Sequence, residues 1–179
     1  MHRYDTSKSY RWNYEHAPDP AKVPACETPD RWSFCGLPVS SPLGIAAGPL
    51  LNGRWCLYYA ARGFDSITYK TVRSASRECY PLPNLLPVDV QELQQPRPSV
   101  NATASMLGTW AVSFGMPSTD PKVWRRDVQW TRDQLPDGKI LNVSGERPLE
   151  FLAQEVGYQG FDGSLEDAVP MVGTACKQP

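Results

Sequence analysis

Residues 43–74 read LGIAAGPLLNGRWCLYYAARGFDSITYKTVRS, and this stretch decides the fold. Leu43 to Ala47 is a short apolar run, the pattern of a strand buried on both faces, as parallel sheets require. Gly48-Pro49 breaks it. Asn52 is an N-cap candidate for a helix over Gly53 to Arg62, where Trp55, Leu57, Tyr58 and Ala61 fall at roughly helical spacing. Gly63 suits the left-handed residue that follows a helix. Ser66 to Val72 then alternates Ile67, Tyr69 and Thr71 with Thr68 and Lys70, a second strand. Strand, helix and strand in about 30 residues is the spacing of a parallel crossover unit.

Working outward, Trp32 to Pro42 predicts a short hairpin around the Cys35-Gly36 turn, with Pro38 confining it to an edge. Residues 1–30 show no periodicity and read as an arm, with Tyr4, Tyr10, Trp12 and Tyr14 free to lie across a neighbouring surface. Arg73 to Asn101 is a long polar, proline-rich connection. Asp120-Pro121 opens a second helix, Pro121 to Leu135, with Val123, Trp124, Val128 and Thr131 turned inward. Pro136-Asp137-Gly138 is a turn, and Lys139 to Ser144 a third strand. Gly145 to Pro179 does not continue the pattern. The domain reading is an arm over 1–30, a (β/α) unit over 31–144 and a divergent tail over 145–179.

Composition narrows the function. The chain has 179 residues, 18 basic and 19 acidic, for a net charge of −1. Such a balance offers no field to attract nucleic acid or an anionic membrane. Eighteen prolines mark long loops. Five cysteines, Cys26, Cys35, Cys56, Cys79 and Cys176, form no CxxC pair, which predicts free thiols, a reducing compartment and no metal site. No stretch reaches the roughly 20 apolar residues of a membrane span. The N-terminus lacks the features of a signal peptide, so the expected location is the cytoplasm.

Three strand ends carry chemistry, where parallel α/β proteins place their ligands. Ala46-Ala47-Gly48 puts no bulky side chain between backbone and ligand, so a flat ring could lie against it; tight packing is the alternative. Lys70 in a strand is costly to bury unless it meets an anion or an electron-rich ring. Asn142 can donate and accept at once, which suits a heterocycle edge or a satisfied turn.

Taken together, WSFCGLPVSSP, LGIAAGP followed by Asn52-Gly53, GFDSITYKTV, YPLPN, SFGMP and ILNVS resemble the dihydroorotate dehydrogenase family in residues, order and spacing, over roughly Trp32 to Ser144. The resemblance implies a partial TIM (β/α) barrel, about the first three β/α units preceded by a hairpin. It implies flavin mononucleotide (FMN) as cofactor and oxidation of dihydroorotate to orotate in pyrimidine biosynthesis. Carried over, Ala46, Ala47, Gly48, Lys70, Thr71 and Asn142 would bind the cofactor. Lys70, Phe114, Gly115 and Met116 would bind the substrate. A homodimer is left open.

The departures are specific. Val112 stands where the family has a substrate-binding asparagine, and Leu51 where its membrane-associated branch has lysine. No segment after Ser144 matches the motif of the catalytic base, so no catalytic residue is assigned and the chain alone is expected to be inactive. The alternatives are a flavoenzyme acting on another pyrimidine, similar to dihydropyrimidine dehydrogenase, and an inactive fragment that associates with another chain.

Overall fold

The computed structural model describes residues 4–20, 31–90, 99–105 and 107–145, together with the backbone of a strand at 174–175. The elements in chain order are α1 (Tyr10–Glu15), β1 (Trp32–Phe34), β2 (Leu37–Val39), β3 (Gly44–Ile45), α2 (Gly53–Ala60) and β4 (Ser66–Thr68). They continue with β5 (Leu85–Val88), β6 (Thr109–Val112), α3 (Pro121–Gln134), β7 (Ile140–Asn142) and β8 (Thr174–Ala175).

The central sheet has the order β3-β4-β7-β8. β3 and β4 run parallel with Ile45 beside Ile67, and β4 and β7 run parallel with Ile67 beside Leu141. β8 joins antiparallel. The fold is therefore mixed α/β with a parallel sheet and helices, and the described residues close no barrel. The predicted hairpin forms, with Trp32 paired to Val39 and Phe34 to Leu37.

Local chemistry explains the helices. Asn52 caps α2 by accepting from the Trp55 N–H at 3.2 Å. Gly63 follows at φ 86°, a conformation glycine adopts without a Cβ clash. Asp120 caps α3 by accepting from the Lys122 N–H at 2.8 Å, with Pro121 in the first turn.

The core lies on one side of the sheet. Ile67, Tyr69, Leu141 and Val143 pack there with Leu50, Trp55, Cys56, Leu57 and Ala60 beneath α2. Trp124 and Leu135 complete it from α3 and its end. By the period-two rule, Ser66, Thr68 and Asn142 lie on the opposite face, and each is half-buried. One face is thus apolar under helices, and the other is polar and lightly covered.

At the amino ends of the strands, Asp65 ties three segments together. Its carboxylate accepts from the Ser40 and Ser41 amides at 2.7 and 2.8 Å and pairs with Lys139. Its own carbonyl accepts from the Ile140 N–H at 2.7 Å. The hairpin, β4 and β7 are thereby fixed in register before the site is reached.

Four details differ from the sequence reading. Gly44 is exposed and Ile45 only half-buried, so β3 is not covered on both faces. Val123 is 48% exposed, because helical spacing sets it to one side of the face that Trp124 and Thr131 bury. The connection after Arg73 contains β5, which pairs antiparallel with β6 despite Pro87. The arm forms α1, capped by Ser9 accepting from the Trp12 N–H. The tail lies outside the described residues apart from Gly145 and β8, as do Cys26 and Cys176. Cys35, Cys56 and Cys79 are unpaired.

Candidate functional site

The carboxyl ends of β3, β4 and β7 lie side by side and are joined through backbone. The Ala47 carbonyl accepts from the Leu50 N–H at 3.3 Å, and the Leu50 carbonyl accepts from the Lys70 N–H at 3.0 Å. The Tyr69 N–H donates to the Asn142 carbonyl at 2.9 Å, and the Val72 N–H to the Ser144 carbonyl at 2.9 Å. Ala46, Ala47, Gly48, Lys70, Thr71 and Asn142 thus gather along one rim.

Each contributes differently. Ala46 and Gly48 are exposed and Ala47 is half-buried. A Cβ built on Gly48 meets no atom within 4 Å, so the space before this loop is open. The Thr71 hydroxyl sits 3.5 Å from the Ser144 hydroxyl. The Asn142 amide donates to Ser66 Oγ at 3.1 Å and to the Ile67 carbonyl at 3.3 Å, which aims the side chain across the polar face of the sheet.

Lys70 is the unusual group. It is buried, 7% exposed, and its amine makes no hydrogen bond or ion pair among the described residues. Burial pushes its amine below the ordinary lysine range, and the nearby Cys79 opposes this only in part. A buried amine without an acceptor is unfavourable by itself. Cys79 is half-buried, and burial raises its thiol above the ordinary value, so it is less reactive than its polar sequence neighbours imply.

The loop carrying Phe114, Gly115 and Met116 is shaped by Asn84, which is 2% exposed. The Asn84 amide donates to the carbonyls of Tyr80, Pro81 and Ser113 at 2.9, 3.1 and 3.2 Å. The Tyr80 N–H donates to the Phe114 carbonyl at 3.1 Å. Gly115 has φ 71°, and a Cβ there would lie 2.7 Å from the Tyr80 ring. The loop meets the Lys70 rim through Ser118, whose hydroxyl accepts from the Arg73 N–H at 3.1 Å. Met116 is 45% exposed.

Sequence reasoning missed the contribution of the arm. Tyr10 and Tyr14 line the recess holding Lys70 and Thr71. The Tyr4 and Tyr10 rings meet Phe114 edge-on, at 5.5 and 5.9 Å between centroids. Ser9 as a cap with tyrosines at i and i+4 is the signal that could have shown it. Among the described residues, no cluster of metal-ligating side chains is present, and no helix is long and apolar enough to cross a membrane.

No family model matches the chain. It is similar to the dihydroorotate dehydrogenase of Dictyostelium discoideum, 30% identical over 158 residues, covering 79% of this chain and 43% of the relative. The chain is thus related to the dihydroorotate dehydrogenase family, and it spans less than half the length of this curated relative.

Proposed function

We propose that the chain supplies one wall of an FMN site in an oxidoreductase acting on dihydroorotate or a closely related pyrimidine. The observation that carries this reading is Lys70: a buried lysine whose amine has no hydrogen-bond or ion-pair partner among the described residues, linked through Leu50 by two backbone hydrogen bonds to a small-residue loop with open space before it. These groups fit a flat ring with polar edges that can carry negative charge. Ala46, Ala47 and Gly48 would lie against the ring, Lys70 and Thr71 would meet its polar edge, and Asn142 would reach it from β7. Flavin, when bound, supplies hydride acceptance for such an oxidation.

Lys70 would hold negative charge on the ring or on the substrate beside it. Phe114, Gly115 and Met116 would bound the substrate. Neither a base for the substrate proton nor a phosphate pocket is found among the described residues. A partial (β/α) barrel accounts for the parallel order β3-β4-β7, with the helices outside and the polar face turned toward the barrel interior. Residues beyond the described ones, or another chain, would complete the site. A cytoplasmic location fits this chemistry.

Val112 supports a second reading. It is 61% exposed at the end of β6 and cannot hydrogen-bond a carboxylate or ring, which favours a pyrimidine other than dihydroorotate. The visible spectrum tests the proposal. Absorption near roughly 450 nm supports a flavoprotein. Bleaching by dihydroorotate selects the first substrate, and bleaching by a reduced uracil or thymine selects the second. Protein that stays colourless with added FMN overturns both.

A further inference from the structure

The arm that the sequence left unassigned is a folded unit of its own. Asn13 is 1% exposed and staples it: its Oδ1 accepts from the Asp5 N–H at 2.7 Å, and its amide donates to the Asp5 and Ser9 carbonyls at 2.9 and 3.0 Å. Ser9 caps the helix and Asp5 caps the turn before it. These bonds fix the internal geometry of residues 4–16.

The unit is docked on the body through hydrogen bonds and aromatic packing. The Asn52 amide donates to the Tyr14 carbonyl at 2.8 Å, and Trp55 Nε1 to the Asn13 carbonyl at 3.2 Å. The Tyr4 and Tyr10 rings lie against Phe114, and Tyr4, Tyr10 and Tyr14 pack against the core, in which Ala17 just after the unit is buried. The unit sits on the rim of the site, not beside it. Tyr10 and Tyr14 form walls of the Lys70 recess, and both also line a larger cleft, with Arg77, Cys79 and Ser118 across from them.

The sizes decide what this arrangement does. The Lys70 recess holds about 10 Å³, room for a single water, whereas the adjoining cleft holds about 330 Å³. Ring-sized ligands occupy pockets of roughly 300 Å³ or more. Lys70 is thus shut away from such a ligand on this side, next to a space that could admit one, and Tyr10 and Tyr14 from the arm, with Pro117, Ser118 and Thr119 from the body, are walls common to both.

We propose that residues 4–16 form a lid over Lys70, docked on Phe114 and Asn52, and that a ring-sized ligand entering from the cleft reaches Lys70 only when this lid lifts. The identity of that ligand rests on the flavin reading; the lid itself does not. Lifting the lid exposes the Tyr4, Tyr10 and Tyr14 rings now packed on the core, a local opening distinct from global unfolding.

Amine acetylation of the intact protein, read residue by residue by mass spectrometry, tests this. Lys122, which is exposed, sets the reference rate, and Lys139, paired with Asp65, reports whether the body stays folded. In the wild type, Lys70 is expected to react far more slowly than Lys122. In Tyr4→Ala/Tyr10→Ala its rate rises about tenfold while Lys139 stays protected. An unchanged Lys70 rate with Lys139 protected overturns the lid. Should Lys139 also become reactive, Phe114→Leu, which removes only the ring contacts, is judged by the same two outcomes.

FMN association, followed by flavin fluorescence, separates the two ideas. Binding that is faster in the lid variants supports both. Binding at an unchanged rate overturns the lid. No binding by any variant overturns the flavin reading and leaves acetylation to decide the lid.

Discussion

The Tyr69 hydroxyl donates to Asp127 Oδ2 at 2.6 Å, and the same oxygen accepts from the Gly53 N–H at 2.7 Å. One carboxylate on α3 thereby holds both the amino end of α2 and the residue preceding Lys70. Burial and this neighbouring negative charge keep the Tyr69 phenol neutral far into the alkaline range. Tyr69→Phe leaves Asp127 with its Gly53 bond and should cost about 1–2 kcal/mol, whereas Asp127→Ala strands both donors and should cost about 2–3 kcal/mol. Urea denaturation checks the order; equal losses for the two variants would contradict the shared-acceptor account.

Gly53 is where α2 and α3 come closest. A Cβ there would lie 1.9 Å from Thr131 Oγ1 and 3.0 Å from Asp127 Oδ1. Thr131 is fully buried and its hydroxyl donates to the Asp127 carbonyl, so it has nowhere to move. Gly53→Ala should therefore destabilise by about 2–3 kcal/mol, even though alanine favours a helix by up to about 1 kcal/mol. Adding Thr131→Ala should recover part of the loss, and a double-mutant cycle by thermal denaturation measures that recovery.

Lys70 gives stability a pH dependence whose sign is fixed. Burial lowers its amine below the ordinary value of about 10.4, so the folded protein binds fewer protons than the unfolded chain between the two values. The cost of burying the charged amine is complete below the folded value and is relieved as pH rises toward about 10.4. Lys70→Met should be more stable than the wild type at pH 7, and the difference should shrink as pH rises through that window. Parallel stability–pH curves for the two proteins would refute this.

Asp65 should matter to the fold and not to ligand binding. It lies at the amino ends of the strands, opposite the rim holding Lys70, and is 1% exposed. Asp65→Ala removes the acceptor of two amides and leaves Lys139 with only the Phe64 carbonyl, for a loss of about 3–5 kcal/mol. At a temperature where the variant stays folded, FMN affinity should match the wild type. Calorimetry and a flavin titration on the same sample check both halves.

The legible parts of this sequence were those decided by neighbouring residues. Asn52, Asp120-Pro121 and the Pro136-Asp137-Gly138 turn each announce a boundary through local hydrogen bonding or backbone conformation, and each stands; Gly63 takes its positive φ, but α2 ends earlier, at Ala60 with Ala61 as its cap. α1 escaped notice because its six residues carry no apolar period; Asn13 and the caps hold it instead. β5 was hidden by Pro87, which an edge hairpin tolerates. The site was half legible. Lys70 stands out because a lysine in a strand demands a reason. The bonds of Asn84 to Ser113, and the seat of Tyr10 on Phe114, link residues 29 and more positions apart, and no local pattern encodes them.

The central claim, that the 46–48 loop and Lys70 form a wall for FMN, is tested most directly by titrating FMN against the wild type and Gly48→Val. The space before Gly48 is open, so the valine should leave the fold intact while filling the volume a ring would occupy. The predicted result is saturable quenching of flavin fluorescence by the wild type and affinity at least about tenfold weaker in Gly48→Val, with unchanged thermal stability. Equal affinity in the two proteins, or no binding by the wild type, would contradict the account.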